Sequence, residues 1–258
     1  METSYLNLAA SQVFLSLIMV GLAALLMWVN QTRLERQYLL ATVRAFVQLW
    51  AMGYVLLWIF ESGQGWVYIL TVEIMVLVGA YTAARRQDHF TWPMLISLAI
   101  ALQVNVVVMI SLMFGGILQT SPLSNPHLFI PLTGMLIGNC ANSAALLVHR
   151  LYDEVKSHRG QIEAALALGA APRQAMQPYL VATMRNAVIP SLNSMMMMGI
   201  VQIPGIMSGQ LLSGIPPEQA MRYQIVVVYL LAGGVALTCH LMVWLEVRRL
   251  FTSRWALK

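Results

Sequence analysis

Seven long apolar stretches, near residues 8–29, 38–60, 66–84, 92–115, 128–150, 188–212 and 224–246, take up most of this 258-residue chain. A bilayer core about 30 Å thick needs about 20 apolar residues per helical crossing. Each stretch is close to that length. The expected fold is therefore all-α, a polytopic membrane protein of seven transmembrane helices. Composition agrees, because 59% of the residues are hydrophobic and 10% are charged, whereas soluble domains carry about 25% charge. The crossings and their turns leave no room for a separate soluble domain, so residues 1–258 read as a single transmembrane domain.

The cations set the expected orientation. If the first stretch runs inward, the inner segments hold Arg33, Arg36, Arg44, Arg85, Arg86, Arg150, Lys156, Arg159, Arg173, Arg185, Arg248, Arg249, Arg254 and Lys258. Only Arg222 is left outside. Cytoplasmic loops carry such an excess because cations resist translocation. The expected topology is N-terminus out and C-terminus in. The net charge of +5 then sits against anionic membrane lipid and calls for no nucleic-acid partner.

One inner connection stands apart. Residues 151–187 form the only long hydrophilic segment, and such segments in compact proteins are usually functional. Within it, Gln161–Leu168 is a strong helix former with an apolar stripe at Ile162, Ala165, Leu166 and Gly169. Gly169 is placed to end that helix in a left-handed cap, and Pro172 to open the next one. Ala164, Ala165, Ala167, Ala170 and Ala171 keep the surface low, so another protein could approach closely. A helical linker lying along the membrane has the same pattern.

Absences narrow the chemistry. No Gly precedes a Lys, so a phosphate-binding P-loop is missing. Lysines occur only at Lys156 and Lys258, which excludes a retinal Schiff base within a crossing. There is no HExxH, and Asp88 and Asp153 both fall in inner loops, which excludes zinc and aspartyl intramembrane proteases. Cys140 and Cys239 read as small buried residues, with no metal-ligand spacing around them. Enzyme chemistry is not expected, and no metal site is legible.

Polar groups within the apolar stretches are the candidate translocation path. Glu73 lies midway along the third stretch, either as a functional carboxylate or as a carboxyl bonded across helices. Arg44 and Gln48 share one face of the second helix, where Arg44 can also snorkel to the surface. Gln103 and Asn105, Asn139 and Asn142, and Asn193 and Gln202 could line a path, or could form interhelical hydrogen bonds worth about 0.6 kcal/mol each. Met195–Met198 suggests soft-metal binding, but at helical spacing only Met195 and Met198 share a side, which favours packing. Small residues are the packing and hinge candidates. Gly134 and Gly138 form one GxxxG stripe and Gly205 and Gly209 another. Pro204 should kink the sixth helix in its middle.

Several segments carry a resemblance: Val43-Arg44-Ala45-Phe46-Val47-Gln48-Leu49, Ala165–Ala170 with Pro172-Arg173-Gln174-Ala175, Ile189–Ser194, Pro204–Gly209 and Ala220–Ile225. Together they resemble the FetB-type permeases, membrane subunits of bacterial ABC iron exporters whose plant relatives act in aluminium tolerance. The resemblance covers nearly the whole chain. It implies a bacterial inner-membrane permease, a homodimer, and a separate ATP-binding subunit that holds the ATP and Mg, with no cofactor in this chain. It also implies that the 160–176 helices are similar to a coupling helix. Glu163, Ala164, Ala165, Leu166, Leu168 and Gly169 would then meet that ATPase. The alternative is a self-sufficient secondary transporter or channel that uses Glu73.

Overall fold

The structure is a computed structural model that describes residues 10–87 and 90–251. Those residues are almost wholly helical, with no β-strand among them. Asp88, Arg254 and Lys258 lie outside the described residues. Six helical segments are long and apolar enough to cross a bilayer: Ser11–Val29, Glu35–Ser62, Gly65–Arg85, Trp92–Ile117, Pro126–Ser157 and Pro217–Leu250. They make this a multi-pass membrane protein.

Two units emerge, Met1–Gln64 and Gly65–Lys258. The first contains α1 (Ala10–Leu15), α2 (Leu17–Val29) and α3 (Glu35–Ser62). Its turn between α2 and α3 places Gln31 and Arg33 at positive φ. Gly63, at φ +62°, ends α3 in the left-handed region that glycine occupies without penalty. No residue of α2 is buried, and Ile59 is the only buried residue of α3. Apolar faces this open suit contact with lipid tails.

The second unit is built on α4 (Gly65–Arg85), α5 (Trp92–Ser111), α6 (Pro126–Ser157), α7 (Arg159–Ala167), α8 (Pro172–Met197), α9 (Gly205–Leu212) and α10 (Pro217–Leu250). Proline opens α6, α8 and α10, where its missing N–H costs nothing and its fixed φ is already helical. After α5 the helix loosens into a π-helical turn over Leu112–Ile117, which buries Met113 and Phe114. Helices α4, α5, α6, α8 and α10 pack around a core containing Leu98, Leu102, Leu136, Cys140, Leu147 and Cys239. Close approaches hold it together. A methyl group added at Gly79 would come within 2.8 Å of Ile137 Cγ2, and one at Gly134 within 2.6 Å of Met75 Cε. At Gly234 a methyl would collide with Leu136.

Three expectations need correcting. The expected continuous crossing over 188–212 does not form. Helix α8 stops at Met197 and α9 starts at Gly205, with a non-helical stretch over 198–204. Pro204 therefore does not kink a helix but caps the start of α9 in an extended conformation. Gly205 and Gly209 make no close helix contact among the described residues, since an added methyl at either would meet nothing within 4 Å. The 151–187 segment, by contrast, is the helix, tight turn and second helix that its residues call for. Helix α6 continues to Ser157, and α7 and the first half of α8 fill nearly all the remainder.

The α7–α8 corner shows why. Helix α7 ends in a Schellman motif, in which Gly169 N–H donates to Leu166 C=O at 2.9 Å and Ala170 N–H to Ala165 C=O at 3.1 Å. Gly169 sits at φ +93°, which side chains rarely tolerate. The Gln174 side chain then accepts from Ala171 N–H at 2.9 Å to start α8. Gly169→Ala should lower the thermal midpoint by the equivalent of about 1 kcal/mol, with Gly169→Asn falling between. Equal midpoints for Gly and Ala would show that the corner does not impose that φ.

Candidate functional site

A rigid projection at one end of the second unit is the first candidate. Ile162 is fully buried beneath α7, in a cluster with Leu151, Val155, Met176, Leu180, Leu250 and Phe251. Ala165 and Leu166 pack against the same cluster. Tyr179 of α8 fixes the projection from the side, donating its hydroxyl to Gln161 Oε1 at 2.7 Å and stacking on His158 at 4.6 Å. The opposite face is bare. Glu163, Ala164, Ala167 and Gly169 are exposed, and Leu168 is 90% exposed. A leucine held out this far, on a scaffold this well packed, is an apolar knob without a socket among the described residues. Of the residues expected on this face, Glu163, Ala164, Leu168 and Gly169 are presented, while Ala165 and Leu166 turn partly inward. Glu163 pairs with Arg159 at 2.8 Å on the surface.

The second candidate is a cavity of about 180 Å³ beside the end of α8, polar on one side and closed on the other by Pro190 and by Val228, Leu231 and Ala232 of α10. Asn139, Asn142 and Ser143 of α6 line it together with Ser191, Ser194, Met195 and Met198 from α8 and its end. Met195 and Met198 share this wall, as their spacing requires. Asn139 donates to Met135 C=O at 2.9 Å, leaving its carbonyl oxygen as an available acceptor. Asn142 Oδ1 accepts from Arg86 Nη1 at 2.6 Å. Arg86 lines an adjoining cavity of about 230 Å³ with Gly79, Gly138 and Asn142. Gly138 thus leaves space instead of contact.

The unwound stretch next to the polar cavity needs its own hydrogen bonds. Met197 C=O accepts from both Val201 and Gln202 N–H at 3.0 Å, and Gln202 C=O from Gly199 N–H at 2.9 Å. Gly199 makes this turn at φ +83°. Residues 199–203 are exposed, Ile200 at 91%, and of the stretch only Met198 reaches the cavity wall. Neutral oxygen and thioether acceptors bind a cation weakly enough for it to leave again, as transit requires.

The expected path residues do not converge on this cavity. Only Asn139 and Asn142 line it. Asn193 and Gln202 are exposed, on α8 and in the unwound stretch. Arg44 and Gln48 belong to α3 in the first unit, and both are exposed. Glu73 is half-buried on α4 and accepts a hydrogen bond from Gln103 Nε2 of α5 at 2.6 Å, so its cross-helix partner is an amide. No group of three or more His, Cys, Asp or Glu side chains that could hold a metal ion occurs among the described residues.

One feature escaped the sequence reading. Glu246 on α10 is fully buried. It accepts from Arg249 Nη1 at 2.6 Å and from the Tyr152 hydroxyl of α6 at 3.1 Å. Arg249 also donates to Thr91 Oγ1 at 3.2 Å, and Thr91 caps the start of α5. The network ties three helices together beneath α7, because Tyr152 also packs on the cluster that carries Ile162.

With this geometry in place, similarity to known proteins becomes informative. The family model described as "Uncharacterised protein family (UPF0014)" matches residues 10–251. UPF0014 membrane protein YjkA of Bacillus subtilis is 34% identical over 98% of this chain and 98% of its own. The probable iron export permease protein FetB of Escherichia coli is 31% identical, covering 96% of this chain and 94% of its own. The protein ALUMINUM SENSITIVE 3 of Arabidopsis thaliana is 31% identical, covering 94% and 88%. No solved structure matches.

Proposed function

Because the chain belongs to the UPF0014 family of membrane permeases, we propose that it is the membrane subunit of an ABC transporter that exports a metal ion, iron being the expected cargo. The observation that carries this reading is the α7 projection, with Leu168 exposed above a buried Ile162. In the proposed cycle, a separate ATP-binding subunit seats Leu168 and the small alanine face in a socket on its surface. That subunit supplies ATP and Mg, and this chain supplies no nucleotide site. Two permeases and two ATPases would make the assembly, in the bacterial inner membrane with α7 in the cytosol.

Movement of α7 passes into α8 across the short corner at 168–171, and α8 ends beside the polar cavity. Helix rotation there would open the cavity to one side or the other through the unwound stretch over 198–204. The weak, neutral donors Asn139, Ser191, Ser194, Met195 and Met198 suit a transit site better than a storage site, Asn142 being engaged by Arg86. The relative named as an iron export permease supports the choice of cargo and direction.

The test is reconstitution in vesicles with and without a Walker A-bearing ATPase that co-purifies with the chain. ATP-dependent movement of ferrous iron is the expected result. Glu73→Gln separates this reading from a self-sufficient transporter. The half-buried carboxylate bonded to Gln103 is the observation in favour of that second reading. ATP-driven flux should survive the substitution within about twofold, since glutamine can still accept from Gln103. Flux in the absence of any ATPase that collapses on Glu73→Gln would reverse the assignment.

A further inference from the structure

A groove of about 600 Å³ runs between the first half of α8 and the last third of α10, sharing Leu180 and Phe251 with the cluster beneath α7. Its two ends differ in chemistry. Arg173 lies at the start of α8 and Arg248 at the end of α10, and both are exposed. Farther along, the walls are Val181 and Met184 on α8 and Val243 on α10, with His240 also there, its ring Nδ1 hydrogen-bonded to Ala236 C=O at 2.8 Å. At a rise of about 1.5 Å per residue, Met184 lies about 16 Å along α8 from Arg173. Helix α10 has 34 residues, so it is about 50 Å long and its ends reach past a hydrocarbon core of about 30 Å. The arginine end of the groove therefore lies at head-group level, and the apolar end at the level of acyl chains.

Among the described residues the charge at that end is not neutralised. No Asp or Glu lines the groove. Neither arginine forms an ion pair among the described residues, because the neighbouring Glu246 is taken by Arg249. Arg248 lies over the Trp244 ring at 3.8 Å, which holds the guanidinium at the groove mouth. Trp244 itself is amphipathic, the residue type that settles at membrane interfaces. The start of α8 adds the positive end of its helix dipole, since Ala171 and Pro172 also line the groove. Basic pockets between membrane helices bind the head groups of anionic lipids.

We propose that this groove binds one anionic phospholipid, its phosphate held by Arg173 and Arg248 and one acyl chain laid along Val181, Met184 and Val243. The lipid then lies against the same α8 that leads out of the α7 corner. Its presence would brace α8 against α10.

The test uses the full chain in a mild detergent, titrated with dioleoyl phosphatidylglycerol or dioleoyl phosphatidylcholine and read by native mass spectrometry. One phosphatidylglycerol per protomer should be retained with at least tenfold preference. The preference should vanish in the double variant Arg173→Gln/Arg248→Gln and persist in Arg173→Lys/Arg248→Lys, which keeps the charge. Met184→Trp should fill the apolar end and lower retention, while Arg36→Gln, on α3, should leave it unchanged. Inorganic phosphate should not displace the lipid; displacement would mean an anion site without an acyl component. Equal retention of the two lipids, or an undiminished preference in the glutamine variant, would overturn the proposal. So would a change in oligomeric state on Met184→Trp with lipid retention intact, since a second copy would then be the occupant. Tighter retention after removal of residues 252–258 would equally assign the groove to the chain's own terminus.

Discussion

If α7 docks an ATP-binding subunit as proposed, Leu168→Glu is expected to abolish that docking without unfolding the chain. At 90% exposure the side chain contributes nothing to the internal packing, so the thermal midpoint should not move. In a socket, however, the substitution buries a carboxylate where an isobutyl group belongs. A buried interface anchor is worth about 2–4 kcal/mol, roughly 30- to 1,000-fold in affinity. Co-purification should fail and ATP-dependent flux fall by a similar factor. Ile162→Asp provides the contrast. That side chain is fully buried, so the same two losses should come with a lowered midpoint. Glu163→Ala removes only the exposed pair with Arg159, worth about 0.3–0.5 kcal/mol, and should alter stability little. A complex that survives Leu168→Glu intact would place the ATPase elsewhere.

Helix ends in this chain were legible wherever one residue imposes a backbone state by itself. Gly169 and Pro172 marked the α7–α8 corner because a left-handed cap and a helix-opening proline need no distant partner. The unwound stretch was harder to see. Ile200, Val201 and Ile203 continue the apolar run without a change in hydropathy, so a window over 188–212 reads as one crossing. The signals present were Gly199 and Pro204, five residues apart, together with the β-branched residues between them. Each is tolerated in a membrane helix singly, and only their combination ends one. Apolar spacing also misled at Gly205 and Gly209, since a GxxxG stripe states that a neighbour could approach without saying that one does.

The candidate site was less legible than the fold because polar residues in a membrane helix take their meaning from what lies across from them. Asn139 and Asn142 meet the serines of α8 only once α6 and α8 are packed together. Glu73 looked like a lone acid until Gln103 was opposite it. Glu246 is the extreme case. Three residues before Arg249 and near the end of a helix, it resembles an ordinary solvated charge, yet its remaining partners are Tyr152 and, through Arg249, Thr91, far away in sequence. Its burial could not be read from local pattern.

That burial makes the Glu246 network the largest stability term open to test. Removing one partner of a buried ion pair costs about 3–5 kcal/mol, mainly because the remaining charge stays desolvated. The two partners differ, however. The side chain of Glu246 is 0% exposed and that of Arg249 is 26% exposed. Arg249→Ala strands a carboxylate that cannot reach water, with only the Tyr152 hydroxyl to accept from. Glu246→Ala leaves a guanidinium in the last turn of α10, free to swing toward solvent and still able to donate to Thr91. Arg249→Ala should therefore be the more damaging, lowering the midpoint of the lipid-embedded protein by roughly 6–12 °C, about 3 kcal/mol. The double variant should lie well above the sum of the two singles, because it removes both charges from the interior. Tyr152→Phe should cost about 1 kcal/mol and should also act on function, since Tyr152 joins the network to the platform under α7. Flux per ATP hydrolysed should fall in Tyr152→Phe before either partner dissociates. Additive singles, or a Glu246→Ala protein less stable than Arg249→Ala, would mean that the pair is solvated and the network carries no strain between α7 and α5.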